Sequence, residues 1–159
     1  MNQFLSAPVT DAQRQRDALL GALVGLARST VNEPKTEDTD RVLASGLRLA
    51  ADPDAAEDAL RRMYHIVETE KHRVAPNCAI CTMRCGNTDN YDLTRLWAAP
   101  EDIRALKLRL LAAVFRLAQG RPDARAQEVI DQALFVLAED WDEELLAPVV
   151  KRAEDCCAG

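Results

Sequence analysis

Three of the chain's five cysteines lie within eight residues, in a segment that runs from Pro76 to Gly86. Cys78, Cys81 and Cys85 have the spacing C-x2-C-x3-C. Three thiolates this close together can converge on one metal centre, and their softness favours zinc, copper(I) or an iron–sulfur cluster over hard cations. The sequence therefore predicts a metal or redox site in residues 76–86, which we call the cysteine segment.

A fourth ligand would have to come from outside the cysteine segment, because iron–sulfur sites on short cysteine runs are completed by a further residue. Cys156 and Cys157 are candidates if the last helix returns to the segment, and otherwise form a frayed, exposed end. His72 is the other candidate, since it lies six residues before Cys78. The metal interpretation leaves the choice among these three residues open.

The same spacing also suits roles without a metal. Cys78, Cys81 and Cys85 lie at positions i, i+3 and i+7, so in a helix they would share one face as small buried residues. A thiol–disulfide switch using Cys78 and Cys81 is a further interpretation, although thioredoxin-like proteins place C-x-x-C in a βαβ context that this sequence lacks. Spacing alone therefore leaves the metal, redox and structural roles open.

Length and charge restrict the class of protein. The 159 residues fit one domain or two small helical units, and 20 basic against 26 acidic residues give a net charge of −6, which argues against nucleic-acid binding. No apolar run approaches the roughly 20 residues of a membrane span, and no secretory signal is visible. We therefore expect a cytoplasmic protein without membrane contact. In the reducing cytosol, clustered cysteines more often bind metals or are redox-active than form structural disulfides.

The pattern of leucine and alanine predicts an all-α fold of about six helices. Thr10 and Thr36 have the side chains that cap the first two helices, and Asp52-Pro53 is predicted to end the second helix and start the third. The third helix should stop before Pro76, because a residue that precedes proline avoids the helical conformation.

The second half of the chain repeats this organisation. Its three helices are predicted to begin at Pro100, at Pro122 and at a capping box from Asp140 to Glu143. The single domain is thus a helical bundle, or two three-helix units, with helices over 10–75, a cysteine-rich loop over 76–99 and helices over 100–156.

Apolar spacing also predicts which side chains face the core. Lys71 should point outward from the third helix, whereas Leu145 should point inward from the last one. Trp97 and Trp141 are predicted to pack as large core anchors.

A redox site in such a bundle implies a redox or other protein partner, and leucine-rich faces are compatible with a homodimer.

Four sequence elements resemble the N-terminal helical domain of the hybrid-cluster proteins, also called prismane proteins or hydroxylamine reductases, which are relatives of carbon monoxide dehydrogenases. The elements are Cys85-Gly86-Asn87-Thr88, Ile103-Arg104-Ala105-Leu106-Lys107, Ala133-Leu134-Phe135 and Asp142-Glu143-Glu144-Leu145-Leu146. The resemblance covers roughly residues 76–155. It implies paired three-helix bundles, a cubane-type iron–sulfur cluster held by a cysteine-rich segment ending in Cys-Gly, and an anaerobic or facultative bacterium as the source.

The chain departs from that family in two respects. The family's first cluster uses four cysteines, whereas here only Cys78, Cys81 and Cys85 fall in the matching segment. The family proteins also continue into α/β domains that hold the hybrid cluster, so hydroxylamine reductase activity is not expected of this chain. The leading prediction is a cytoplasmic iron–sulfur protein for electron transfer or redox sensing. The alternative is a non-catalytic interaction or structural module whose cysteines are structural or bind zinc.

Overall fold

The computed structural model describes residues 10–30, 36–74, 90–120, 123–139 and 141–158. Every regular element in these residues is an α-helix, which confirms the all-α prediction. The seven described helices are α1 (Asp11–Ser29), α2 (Glu37–Ala51), α3 (Glu57–Val74), α4 (Leu93–Ala98), α5 (Glu101–Gln119), α6 (Ala124–Leu137) and α7 (Glu143–Ala158). The additional helix, α4, lies in the stretch 76–99 that the sequence predicted to be irregular.

Helices α1, α2 and α3 pack against one another as the first three-helix unit. Arg16, in the first half of α1, donates hydrogen bonds to the carbonyl oxygens of Ala50 and Asp52 at the end of α2, so these two helices are antiparallel. Thr39, near the start of α2, bonds to Glu70 near the end of α3. The end of α3 therefore lies beside the start of α2.

Helices α5, α6 and α7 form the second unit in the same up–down–up arrangement. Lys107, in the first half of α5, donates to the carbonyl oxygen of Leu137 at the end of α6. Arg109 pairs with Glu154 of α7, and both residues lie in the middle or later part of their helices. Helices α5 and α7 consequently run in the same direction, with α6 antiparallel to both.

The two units share one hydrophobic core, because α2 packs on α5 and α1 packs on α6. Side chains also cross the boundary: Arg48 donates to the Ala118 carbonyl oxygen at 3.3 Å, and Arg28 pairs with Glu139 at 3.0 Å. The largest fully buried side chains are supplied by both units and by α4: Leu19, Leu23, Leu26, Leu43, Leu47, Leu60, Leu96, Leu110, Ile130, Leu134, Leu137 and Leu146. No described helix is long and apolar enough to cross a membrane.

The predicted caps of α1 and α2 are confirmed, but the predicted start of α3 is wrong. Thr10 and Thr36 each accept a hydrogen bond from the backbone amide three residues later. Asp52 instead closes a turn, since its carboxylate accepts from the Asp54 amide at 2.9 Å and its carbonyl oxygen from the Ala55 amide at 3.2 Å. The chain turns there before α3 begins at Glu57.

Two further helix starts also differ from the prediction. Asp123 caps α6 by accepting from the Ala126 amide at 2.8 Å, and Asp142 caps α7 by accepting from the Leu145 amide at 2.9 Å. In each case an aspartate carboxylate accepts a hydrogen bond from a free amide of the first turn. The predicted starts were Pro122 for α6 and Asp140 for α7. Pro122 and Asp140 themselves lie outside the described residues.

The predicted orientations of Lys71 and Leu145 are both wrong. Lys71 is only 4% exposed, for a reason that concerns the candidate site below. Leu145 is 56% exposed, because the inward face of α7 is set by Leu146, Val149, Val150 and Ala153, at the spacing i, i+3, i+4 and i+7. Trp141 packs half-buried against the core, and Trp97 is also half-buried, so both are less enclosed than predicted.

Candidate functional site

The predicted ligands Cys78, Cys81 and Cys85 lie in residues 75–89, outside the described residues. The described structure resumes on either side of them, at Val74 in the last turn of α3 and at Asn90. The candidate site is therefore built from the residues that hold these two flanking points.

A partly buried polar network joins the end of α3 to Asn90. The Lys71 ammonium donates to the Asn90 side-chain oxygen at 2.5 Å and lies 3.2 Å from the Glu68 carboxylate. The Asn90 amide nitrogen donates in turn to Glu68 at 2.6 Å and lies 3.4 Å from the Tyr64 hydroxyl. We call Tyr64, Glu68, Lys71 and Asn90 the clamp, because they tie together two positions that are 19 residues apart.

The clamp explains why a lysine is tolerated in a buried position. A buried ammonium group is strongly unfavourable unless it is paired and hydrogen-bonded, and Lys71 is both. Burial raises the pKa of Glu68, but hydrogen bonds from Asn90 and the charge and hydrogen bond of Lys71 outweigh it, so that the pKa lies below its ordinary value. Glu68 is therefore an anion at neutral pH, and removing any one partner would leave buried charge or polarity unmatched.

A second set of polar contacts fixes the end of α3 to the start of α2. The buried Glu70 carboxylate accepts from the Thr39 hydroxyl at 2.6 Å and pairs with the Arg73 guanidinium. Arg73 also donates to the Thr36 hydroxyl at 2.9 Å. The hydrogen bond from Arg73 lowers the pKa of Glu70, so this carboxylate is also ionised at neutral pH.

The other flanking point is seated on α1. The Tyr91 amide donates to the Gly21 carbonyl oxygen at 3.0 Å, and a methyl group on Gly21 would overlap the Tyr91 carbonyl oxygen. The Tyr91 ring is buried, with the Lys107 ammonium 5.6 Å from its centroid and the Arg95 guanidinium 6.0 Å away. The chain that leaves residue 89 is thus held against the bundle by backbone and side chain alike.

We call the contact between Tyr91 and Gly21 the Tyr91 seat, and two cavities lie beside it. A polar cavity of about 220 Å³ is lined by Gly25, Arg28, Asn90, Tyr91, Asp92, Arg95 and Ala138. A wider cleft of about 810 Å³ separates α4 and the start of α5 from the start of α7, and Arg95, Ile103, Lys107 and Trp141 are among its lining residues. Both cavities open at the end of the bundle where α3 ends.

His72, the other predicted fourth ligand, lies among the described residues. It is exposed and lies in the last turn of α3, two residues before Val74. Among the described residues, no group of three or more histidine, cysteine, aspartate or glutamate side chains is arranged to hold a metal.

The terminal cysteines lie elsewhere. Cys156 and Cys157 are half-buried in the last turn of α7, so the prediction of a frayed, exposed end is wrong. The Cys157 thiol donates to the Ala113 carbonyl oxygen at 3.4 Å, and burial raises its pKa. The start of α7 lies at the wide cleft, and its 16 residues span about 24 Å, so the helix carries both cysteines towards the opposite end of the bundle.

No protein-family model, curated protein or solved structure matches this chain at a significant level. The resemblance to the hybrid-cluster proteins therefore stays a prediction from the sequence.

Sequence reasoning missed the clamp and the Tyr91 seat, although one signal for the clamp was present. Lys71 lies four residues after Val67 and three before Val74, which places it on the buried face of α3. Asn90 and Gly21 carried no comparable signal, because their partners are distant in the sequence.

Proposed function

We propose that this chain binds an iron–sulfur cluster through Cys78, Cys81 and Cys85 and serves electron transfer or redox sensing. The observation that carries the proposal is the clamp, which holds the last turn of α3 against Asn90 through Lys71. The donor set fits the cofactor, since three thiolates in eight residues are soft ligands of the kind that such clusters take.

The clamp matters because a ligand-bearing segment must lose conformational freedom when it binds a metal. Closing a flexible stretch of chain carries an entropy cost, and fixing its ends in the folded protein removes part of that cost from the binding step. Lys71 and the Tyr91 seat fix the two flanks of residues 75–89 to the same bundle. The residues on either side of 75–89 are thereby fixed before any metal binds.

His72 is the best supported fourth ligand. It is exposed, next to Lys71, and in the last turn of α3 from which the chain enters residues 75–89. Cys156 and Cys157 are less well placed, because they lie in the last turn of α7. There the Cys157 thiol donates to the carbonyl oxygen of Ala113 on α5.

A bound cluster would supply one-electron chemistry, and the chain's own contribution would be to hold the ligands and adjust the surroundings. Burial, charge and hydrogen bonds to the sulfur atoms set the reduction potential of such clusters. In the proposal, the clamp fixes residues on either side of 75–89, and Arg84 in the cysteine segment offsets negative charge.

The test is iron and acid-labile sulfide analysis of protein purified without oxygen. The wild type and the control variant Cys156→Ser/Cys157→Ser should contain both, whereas Cys78→Ser/Cys81→Ser/Cys85→Ser should contain neither. Stoichiometric zinc without sulfide, or colourless metal-free protein, would support the structural or zinc-binding module instead. Iron and sulfide retained by the triple variant would also refute the proposal.

A further inference from the structure

Helix α4 is the least embedded of the described helices. It has six residues, whereas the other six described helices have 14–19 residues each. Leu96 is the one buried residue of α4, while each of the others buries at least four residues. A helix this short is not stable in water by itself, so its stability depends on the contacts that hold it to the bundle.

We call residues 90–99 the strap, because they connect the clamp to the start of α5. The strap is held at its start by the clamp and by the Tyr91 seat. Further along, Leu96 packs in the core, and Arg104 of α5 donates to the Trp97 carbonyl oxygen at 3.1 Å. Each of these contacts joins the strap to another part of the fold, so they can break together while the longer helices keep their own hydrogen bonds.

The strap forms part of the wall of both cavities. Its first three residues, 90–92, line the polar cavity, whereas Ala98 and Ala99 line the wide cleft. Arg95 lines both. Movement of the strap would therefore reshape both cavities at once.

We propose that the strap opens as a unit while the six longer helices stay folded, and that this opening couples the cysteine segment to the two cavities. Opening breaks the Tyr91 seat and the contact of Asn90 with the clamp, and it withdraws Leu96 from the core. Coupling between two sites requires an element with two arrangements whose equilibrium both sites affect. The coupling to the cysteine segment rests on the proposed function, whereas the opening itself does not.

The coupling follows from the length of chain before the strap. Cys85 is five residues before Asn90, and five residues span at most about 18 Å when fully extended. A cluster bound by both Cys85 and His72 would tie the chain that precedes Asn90 to the end of α3. Fewer conformations would then be available to the open strap, so the closed strap would be favoured. Loss of the cluster would make opening more frequent.

The experiment measures amide hydrogen exchange by NMR in metal-free wild-type protein, at several urea concentrations below the unfolding transition. The amides of Tyr91, Arg95 and Ala99 are the reporters, because each donates a hydrogen bond within the strap or to α1. All three should show the same free energy of opening and exchange at least tenfold faster than the most protected amides of α1 and α5. Their rates should also rise less steeply with urea, because opening the strap exposes less surface than global unfolding does.

Two variants separate local opening from global unfolding. Asn90→Ala should speed exchange of the strap amides about tenfold, since it removes hydrogen bonds to the charged Lys71 and Glu68. The matched control, Gln132→Ala, removes an amide side chain that accepts a hydrogen bond from Arg152 between α6 and α7. Because it lies outside the strap, it should change the same rates less than twofold.

A measurement on iron-containing protein tests the coupling. In wild-type protein that iron and sulfide analysis shows to be loaded, fragments covering the strap should exchange at least tenfold more slowly than in metal-free protein, as followed by mass spectrometry. Unchanged exchange in loaded protein would overturn the coupling and leave the opening. If no iron is bound while the metal-free results hold, the proposed function fails, and the coupling fails with it.

Three results would overturn the opening itself. The first is strap amides that exchange as slowly as the most protected amides, with the same dependence on urea, since the strap would then open only on global unfolding. The second is a different free energy of opening at Tyr91, Arg95 and Ala99, which would mean that the strap is not one unit. The third is an equal acceleration by Asn90→Ala and Gln132→Ala.

Discussion

Replacing Gly21 by alanine tests how the chain is seated after residue 89. In an exposed helix interior, glycine to alanine stabilises by about 1 kcal/mol, because alanine has the higher helix propensity. Here the new methyl group would overlap the Tyr91 carbonyl oxygen and lie 3.4 Å from the carbonyl carbon. The backbone of Tyr91 cannot rotate away as a side chain could, so we expect the opposite sign.

The expected magnitude follows from the contacts that the methyl group displaces. Moving Tyr91 breaks its amide hydrogen bond to Gly21, which contributes about 1 kcal/mol, and overpacking a tight contact costs typically about 1–3 kcal/mol. After the gain in helix propensity is subtracted, Gly21→Ala should lower the free energy of unfolding by about 2 kcal/mol. For a chain of this size that corresponds to a midpoint roughly 4–8 °C lower.

Gly46→Ala is the matched control. It also adds a methyl group inside a buried helix, but the closest atom is a terminal methyl of Leu23, at 2.6 Å, which can shift with its side chain. Its effect should therefore lie within about 1 kcal/mol of zero. Chemical denaturation of both variants, followed by circular dichroism, measures the difference.

A Gly21→Ala variant as stable as wild type would refute this account of the seat. It would mean that Tyr91 is not held against α1 as described. A loss as large for Gly46→Ala would show that the penalty arises from general crowding in the core. Reduced iron retention in Gly21→Ala alone would connect the seat to the proposed site.

Three other predictions concern the clamp, the end of α3 and the terminal thiols. Lys71→Met should lower the free energy of unfolding by about 2 kcal/mol, because it removes the charged hydrogen bond from a buried lysine to Asn90, and equilibrium denaturation measures the change. Glu70→Gln should lower the free energy of unfolding at neutral pH. Because the hydrogen bond from Arg73 lowers the pKa of Glu70 from 4.5, this loss of stability relative to wild type should be complete above pH 4.5. It should shrink as the pH falls through the lowered pKa. Cys157 should react with iodoacetamide at pH 8 more slowly than glutathione, because burial raises its pKa, and mass spectrometry of digests measures the rate.

Each of these predictions has a contrary outcome. Lys151→Met removes a lysine that is 77% exposed and should change the free energy of unfolding by less than about 0.5 kcal/mol. An equal loss for Lys151→Met and Lys71→Met would show that the burial of Lys71 does not cause its effect on stability. A stability difference for Glu70→Gln that grows in acid would contradict the lowered pKa. Alkylation of Cys157 at the rate of glutathione would mean that the end of α7 is frayed after all.

The helices themselves were largely predictable, because their signals are local. Thr10 and Thr36 cap the first two helices as their sequences indicated. Asp52 shows the limit of such reasoning: Asp-Pro suits a helix start and a turn equally, and the hydrogen bonds of Asp52 to Asp54 and Ala55 decide for the turn.

The polar contacts around the candidate site were not predicted from the sequence. The clamp depends on a hydrogen bond between positions 19 residues apart, and the Tyr91 seat depends on Gly21, 70 residues earlier in the chain. Lys71 was predicted to face outward, and its pairing with Glu68 and Asn90 is what allows the lysine to be buried instead. Contacts of this kind arise from tertiary packing, and the position of Lys71 between Val67 and Val74 was their one local signal.

The most direct test of the central claim is X-ray absorption at the iron edge of anaerobically reconstituted protein. The account predicts iron surrounded by sulfur with a second iron nearby, and loss of that signal in Cys78→Ser/Cys81→Ser/Cys85→Ser but not in Cys156→Ser/Cys157→Ser. Iron coordinated only by oxygen and nitrogen, or a sulfur shell that survives in the triple variant, would contradict it.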